Sequence, residues 1–113
     1  MDKEEKLAVY LDSQTSIGWY HQVPQSRPEE FGVISRSGGG SSEFIEDNAL
    51  FTLKVWAATW ERARELSQAT ASAITLAQCF IDTAMGASVV SVYDDPDNGN
   101  PRRRVTAQIL FND

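Results

Sequence analysis

Cysteine and histidine are almost missing from this chain, which has one of each, Cys79 and His21, in 113 residues. A single cysteine excludes an intramolecular disulfide and a cysteine-built structural zinc site. A lone histidine leaves no cluster for a catalytic metal. A basic excess is missing too, since sixteen acidic residues against ten basic ones give a formal charge of −6. Tight binding of duplex DNA draws on phosphate neutralisation by a basic surface, so this balance disfavours it. No apolar run approaches the roughly 20 residues needed to cross a bilayer. The opening MDKEEK is charged, lacks an apolar core and does not read as a signal peptide. The expectation is a soluble protein of a reducing cytoplasm, with no membrane partner.

What is present suits folding. The chain is 42% hydrophobic, 10% aromatic and 23% charged, too apolar for a disordered segment, and its length suits one domain spanning 1–113. A domain of this length has a radius of gyration of roughly 13 Å, so any larger architecture must come from association of copies.

Residues 3–13 read as a short amphipathic helix, with Asp2, Glu4 and Glu5 at its positive end and Leu7, Tyr10 and Leu11 as its stripe. Ile17, Trp19, His21 and Val23 alternate with Gly18, Tyr20 and Gln22 as a strand that Pro24 closes, and 31–36 predicts a second. Between them, Pro24 and Pro28 stiffen a turn. The Gly/Ser stretch 37–42 predicts a flexible hairpin loop or surface arm. Ala49, Phe51, Leu53, Val55 and Ala57 form the core face of the strongest strand, 47–57. Its other face carries Leu50 and Trp56, which something must cover. Thr59 predicts the N-cap of one long helix over 60–82, with Leu66, Ala69 or Thr70, Ala73, Ile74, Ala77, Phe80 and Ile81 as its stripe, ended by Met85-Gly86. Val89 to Tyr93 predicts a strand, and Val105, Ala107, Ile109 and Phe111 are the inward set of the last one. The loop 94–101 between them has Asn98-Gly99 at its tip. The expected fold is α+β, a mostly antiparallel sheet of four or five strands packed by one long helix, plus a short N-terminal helix.

Motifs that carry catalysis fail one by one. Asp94, Asp95 and Asp97 beside Gly99 suggest a calcium loop. Counted from Asp95, however, Gly99 and Thr106 stand where that loop needs a ligand and its bidentate glutamate. His21 has no nucleophile motif to serve and reads as a partly buried or interface residue. Cys79 has nothing nearby in sequence to lower its pKa and reads as inert. Gly38, Gly39 and Gly40 match neither phosphate-cradling pattern. No cofactor, metal or catalytic residue is expected.

Two features leave alternatives open. Arg102, Arg103 and Arg104 form a basic run in an acidic chain. One reading is a solvated strand start that neutralises the adjacent aspartates. The other is an inter-subunit ion-pair site, with Glu43, Glu46 and Asp47 as the acidic side, or a weak nucleic-acid contact. Trp19, Tyr20, Trp56 and Trp60 are a large aromatic surface for one small core, explained either by core packing or by an oligomer interface.

The order of residues then becomes familiar. Val23-Pro24, Arg27-Pro28 and Phe31-Gly32-Val33-Ile34-Ser35-Arg36-Ser37-Gly38-Gly39 resemble the "VP…RP..FV.V.R.GG" stretch of tail terminator proteins of long-tailed phages and prophages. Gly32 stands where that family usually has valine. Asp47 to Ala57 resembles the family's "D.a.l.v..wa" strand, and Ala63 to Leu66 the start of its long helix. Asp95-Pro96-Asp97-Asn98-Gly99-Asn100-Pro101-Arg102 resembles its late "DPDsG.PR" loop. The resemblance spans about residues 5 to 111.

It implies a non-enzymatic protein of the virion tail and neck, assembled in the host cytoplasm. Such proteins form a ring, usually a hexamer, on the last ring of the tail tube. They end tube polymerisation and present a surface to the head connector or stopper protein. Genomic DNA passes through the ring without sequence-specific binding. At matched positions the resemblance makes Arg27, Pro28 and the loop from Asp95 and Asp97 to Arg102 candidate assembly elements, with Gly38, Gly39 and Gly40 part of an arm. Together with Glu43, Glu46, Asp47, Trp56, Arg103 and Arg104 these form the candidate interface. Two alternatives are another neck component, such as a head-completion or connector protein, and a small enzyme or ligand-binding domain using a pocket beside the long helix.

Overall fold

Alternating apolar residues in the strands and 3–4 spacing in the helices place one continuous apolar layer between a sheet and three helices. The computed structural model describes residues 2–41 and 46–112. Its elements are α1 (Lys3–Gln14), β1 (Gly18–Tyr20), β2 (Phe31–Ser41), β3 (Glu46–Trp56), α2 (Trp60–Thr75), α3 (Ala77–Phe80), β4 (Ala84–Asp94) and β5 (Arg102–Asn112). The five strands lie in the order β1-β2-β3-β5-β4. β1 runs parallel to β2, and every other pair is antiparallel. The fold is therefore α+β with a mostly antiparallel sheet.

The helices form as their ends dictate. Asp2 Oδ1 accepts from the Glu5 N–H at 2.8 Å, and Thr59 Oγ1 accepts from the Arg62 N–H at 3.1 Å, each satisfying a donor the first turn leaves unpaired. Leu7, Tyr10 and Leu11 of α1 and Ala63, Leu66, Ala73 and Ile74 of α2 are buried against Ala49, Phe51, Leu53, Val55, Val105, Ala107, Ile109 and Phe111 of the sheet. Tyr10 Oη donates to the Ala73 carbonyl at 2.6 Å and ties α1 to α2. At the tip of the β4–β5 connection Asn98 and Gly99 have φ of 51° and 84°, the pair of positive angles that a two-residue hairpin turn requires.

Four expectations need correction. The helix expected over 60–82 breaks at Leu76 (φ −98°, ψ 1°) into α2 and α3. Thr70 Oγ1 and Thr75 Oγ1 both bond back to carbonyls four residues earlier, a local competition that disturbs the end of a helix. Ala77 and Ile81 stay buried across the break, but Phe80 turns outward and is 61% exposed. Met85 and Gly86 do not end a helix; they belong to β4, whose ladder has irregularities at Met85 and Val90.

The strand expected over 17–23 shrinks to Gly18–Tyr20. His21 lies in a bend, with Nδ1 at 2.8 Å from Glu4 Oε1. Of the stretch 37–42, expected as a flexible hairpin loop or surface arm, residues 37–41 lie in β2, and Ser42 lies outside the described residues. Gly38, Gly39, Gly40 and Ser41 pair with Leu50, Ala49, Asn48 and Asp47 after an irregularity at Ser37. The first half of β3 offers a ready ladder there, and cross-strand pairing overrides the weak strand preference of glycine.

Candidate assembly surface

The sheet has two unlike faces. One is sealed by the helices. The other carries Trp56, Lys54, Thr52 and Leu50 of β3 opposite Arg102, Arg104, Thr106 and Gln108 of β5, and among the described residues no helix packs on it. Leu50 and Trp56 do fall on this second face. Trp56 is only 5% exposed because its own chain covers it.

That cover is a corner cluster. Phe31 stacks on Trp56 with ring centroids 4.6 Å apart and planes 11° apart. The Arg27 guanidinium lies 5.5 Å from the Phe31 ring and 5.8 Å from the Trp56 ring, and Arg102 lies 5.2 Å from Trp56. The Trp56 indole N–H donates to Asp97 Oδ2 at 3.0 Å, and Arg27 Nη2 donates to the same oxygen at 3.3 Å. Arg102 Nη2 meets Asp95 Oδ2 at 3.2 Å, and Arg102 Nε donates to the Asp95 carbonyl at 2.8 Å. The indole bond, opposed by burial and aided by Arg27 and Arg102, holds the Asp97 carboxyl below its ordinary value. Six residues scattered from 27 to 102 thus meet at one corner. Pro28 lies beside them, exposed.

The other candidates separate. Arg103 points to the helix side of the sheet, where it pairs with Asp94 and its Nε lies 3.3 Å from Ser67 Oγ. Asp94 also faces Arg64 at 3.6 Å, and hydrogen bonding to Arg103 lowers its pKa despite some desolvation. Asp47, one of the acidic residues expected to face a neighbouring copy, is 2% exposed at the far end of the sheet. Arg36 grips both its oxygens, with Nη1–Oδ2 at 2.8 Å, and Lys3 Nζ lies 3.0 Å away. Those contacts hold its carboxyl below the ordinary value against the opposing effect of burial. The inter-subunit role expected for Asp47 therefore does not fit its placement: the fold uses that charge internally, as it does those of Arg102 and Arg103. Glu46 starts β3, and Glu43 lies outside the described residues.

Arg104 is the exception. It sits mid-face, directly across from Lys54, with its Nε buried and without a hydrogen-bond partner. Its Nη2 lies 3.5 Å from Thr52 Oγ1, and its guanidinium is 6.0 Å from the Tyr93 ring centroid. A buried donor left unmade costs about 1–3 kcal/mol, and like charges directly opposite in a ladder add repulsion. Phe31, Lys3, Arg36 and Lys54 are absent from the candidate interface residues expected from the sequence. Cross-strand register sets Phe31 against Trp56 and Lys54 against Arg104, and the packing of α1 at the end of the sheet brings Lys3 to Asp47.

Between α1 and α3 lies a groove of about 400 Å³ lined by Val9, Tyr10, Gln14, Phe80 and Asp82 among others. Cys79 is exposed nearby on α3. Among the described residues no three His, Cys, Asp or Glu side chains are placed to hold a metal ion, and no helix is long and apolar enough to cross a membrane. Comparison with protein-family models finds none that matches the chain, and comparison with curated proteins likewise finds no match.

Proposed function

We propose that this protein is a non-enzymatic structural component of a long-tailed phage or prophage particle, a tail terminator. In this reading copies assemble as a ring, hexameric as is usual for the resembled family, on the end of the tail tube. The ring ends tube growth, offers its other side to the head connector or stopper protein, and lets genomic DNA pass without sequence-specific contact. The observation that supports it is the convergence of two resembled motifs. Arg27-Pro28 and the Asp95–Arg102 loop lie far apart in sequence, yet both lock onto Trp56 at the corner of an uncovered sheet face. A rigid corner beside an open face suits a subunit that must present loops to neighbours in a fixed geometry.

The test is removal of the gene from the replicon that carries it, followed by electron microscopy of the particles. Tubes that overrun their normal length and lack heads are the expected result, restored by supplying the gene in trans. Tails of normal length without heads would assign the protein to another neck position. Complete particles would overturn the structural reading altogether.

A further inference from the structure

Among the described residues Arg104 is the one arginine without a carboxylate within 4.0 Å. Arg27, Arg36, Arg62, Arg64, Arg102 and Arg103 all have one. Its cross-strand neighbour Lys54 likewise has no carboxylate partner among them. Two uncompensated cations thus stand side by side on the open face of a protein whose formal charge is −6. The surplus of carboxylates lies elsewhere. On α1, Glu5, Val9 and Asp12 follow at i, i+4 and i+7 and share one exposed face of the helix. Val9 is 56% exposed, and the outturned Phe80 stands across the groove beside it. The opposite side of the molecule matches this face in kind, since half-buried Val33 pairs across from Lys54 and exposed Tyr93 across from Arg104.

We infer that the open sheet face around Lys54 and Arg104 receives the outer face of α1, Glu5–Val9–Asp12, of a second copy of this chain. The inference rests on the ring reading and specifies its contact. An α1 face laid on the bare sheet gives Arg104 and Lys54 the carboxylates that their own chain withholds, and it covers apolar surface on both sides. The two patches lie on opposite layers of one subunit, so the contact is head-to-tail. Each copy uses one patch on each neighbour, which propagates until the rotation closes a ring.

The experiment pairs two variants, each checked for folding by circular dichroism and thermal melting. Lys54→Glu/Arg104→Glu reverses the sheet patch, with Lys54→Gln/Arg104→Gln as the milder form should the first not fold. Glu5→Lys/Val9→Lys reverses the helix patch and leaves Asp12, which accepts the Trp19 N–H at 2.8 Å, in place. Sedimentation velocity should show wild type associating, less so at high salt. Each variant alone should associate about a hundredfold more weakly, because like charges juxtaposed across an interface cost several kcal/mol. An equal mixture of the two should associate again, since each then supplies the patch the other lacks. Wild-type-like association of either folded variant alone overturns the inference and leaves the ring reading standing. A mixture that stays dissociated while wild type associates does the same. A wild type that stays monomeric and instead binds an unspecific DNA duplex through Lys54 and Arg104 overturns both.

Discussion

The ring of Trp19 fills the space where Gly32 would carry a side chain. A Cβ built on Gly32 would lie 2.5 Å from Trp19 Cε3 and 2.6 Å from Cζ3. The two residues are register partners in the parallel β1–β2 pair. Trp19 is pinned by its backbone N–H to Asp12 at 2.8 Å and its indole N–H to Thr15 Oγ1 at 2.9 Å. The glycine is thus a steric requirement of the tryptophan, and it accounts for the departure from the valine usual in the resembled family.

Gly32→Val should therefore destabilise the domain by about 3 kcal/mol, the range for expelling or overpacking a large buried ring. Combining it with Trp19→Ala should cost less than the sum of the two single changes, because each removes the other's clash or contact. Urea denaturation of the three variants measures this. Additive costs would show that the two side chains do not compete for one space.

Asp47 predicts a pH dependence. Its folded-state carboxyl titrates below the ordinary value of 3.8, chiefly because Arg36 donates to it. A depressed folded pKa contributes stability that is fully present above the unfolded value and is lost as pH falls through the folded one. Asp47→Asn should cost about 2–4 kcal/mol at pH 7, since a neutral amide replaces the buried carboxylate that pairs with Lys3 and Arg36. The gap to wild type should stay constant down to about pH 5 and narrow below pH 3.8. Thermal melts from pH 7 to pH 2.5 check the sign; a gap that widens in acid would contradict it.

Trp56 separates stacking from hydrogen bonding at the corner cluster. Trp56→Phe keeps an aromatic ring on Phe31 but loses the N–H to Asp97, and should cost about 1–2 kcal/mol. Trp56→Ala removes both and should cost about 3–5 kcal/mol. Equal costs in denaturant titrations would mean that the stacking on Phe31 contributes nothing.

Much of the fold is legible in residue order because it is local or periodic. Asp2 and Thr59 cap helices through bonds three residues long. Phe51, Leu53 and Val55, like Val105, Ala107, Ile109 and Phe111, bury one face by simple alternation. Asn98-Gly99 makes its turn because only those residue types accept positive φ readily. These features depend on each residue and its near neighbours, so the sequence by itself determined them.

Tertiary structure decided the rest. The glycines at 38–40 became strand because β3 lay beside them, and the expected long helix divided at Leu76 before the chain entered edge strand β4. The charges show the same division most clearly. Asp47, Arg102, Arg103 and Arg104 look alike as exposed ionic residues in the sequence. Packing of α1 and strand pairing then gave Asp47 two cations, Arg102 and Arg103 met their aspartates, and register left Arg104 facing Lys54. Whether a charge is spent within the chain or left for a partner depends on which strands become neighbours and which face each side chain takes. Arg102 and Arg103 meet aspartates fewer than ten residues away, as the reading of a strand start that neutralises adjacent aspartates allows. Contacts across tens of residues, by contrast, bring Lys3 to Asp47 and Arg104 opposite Lys54.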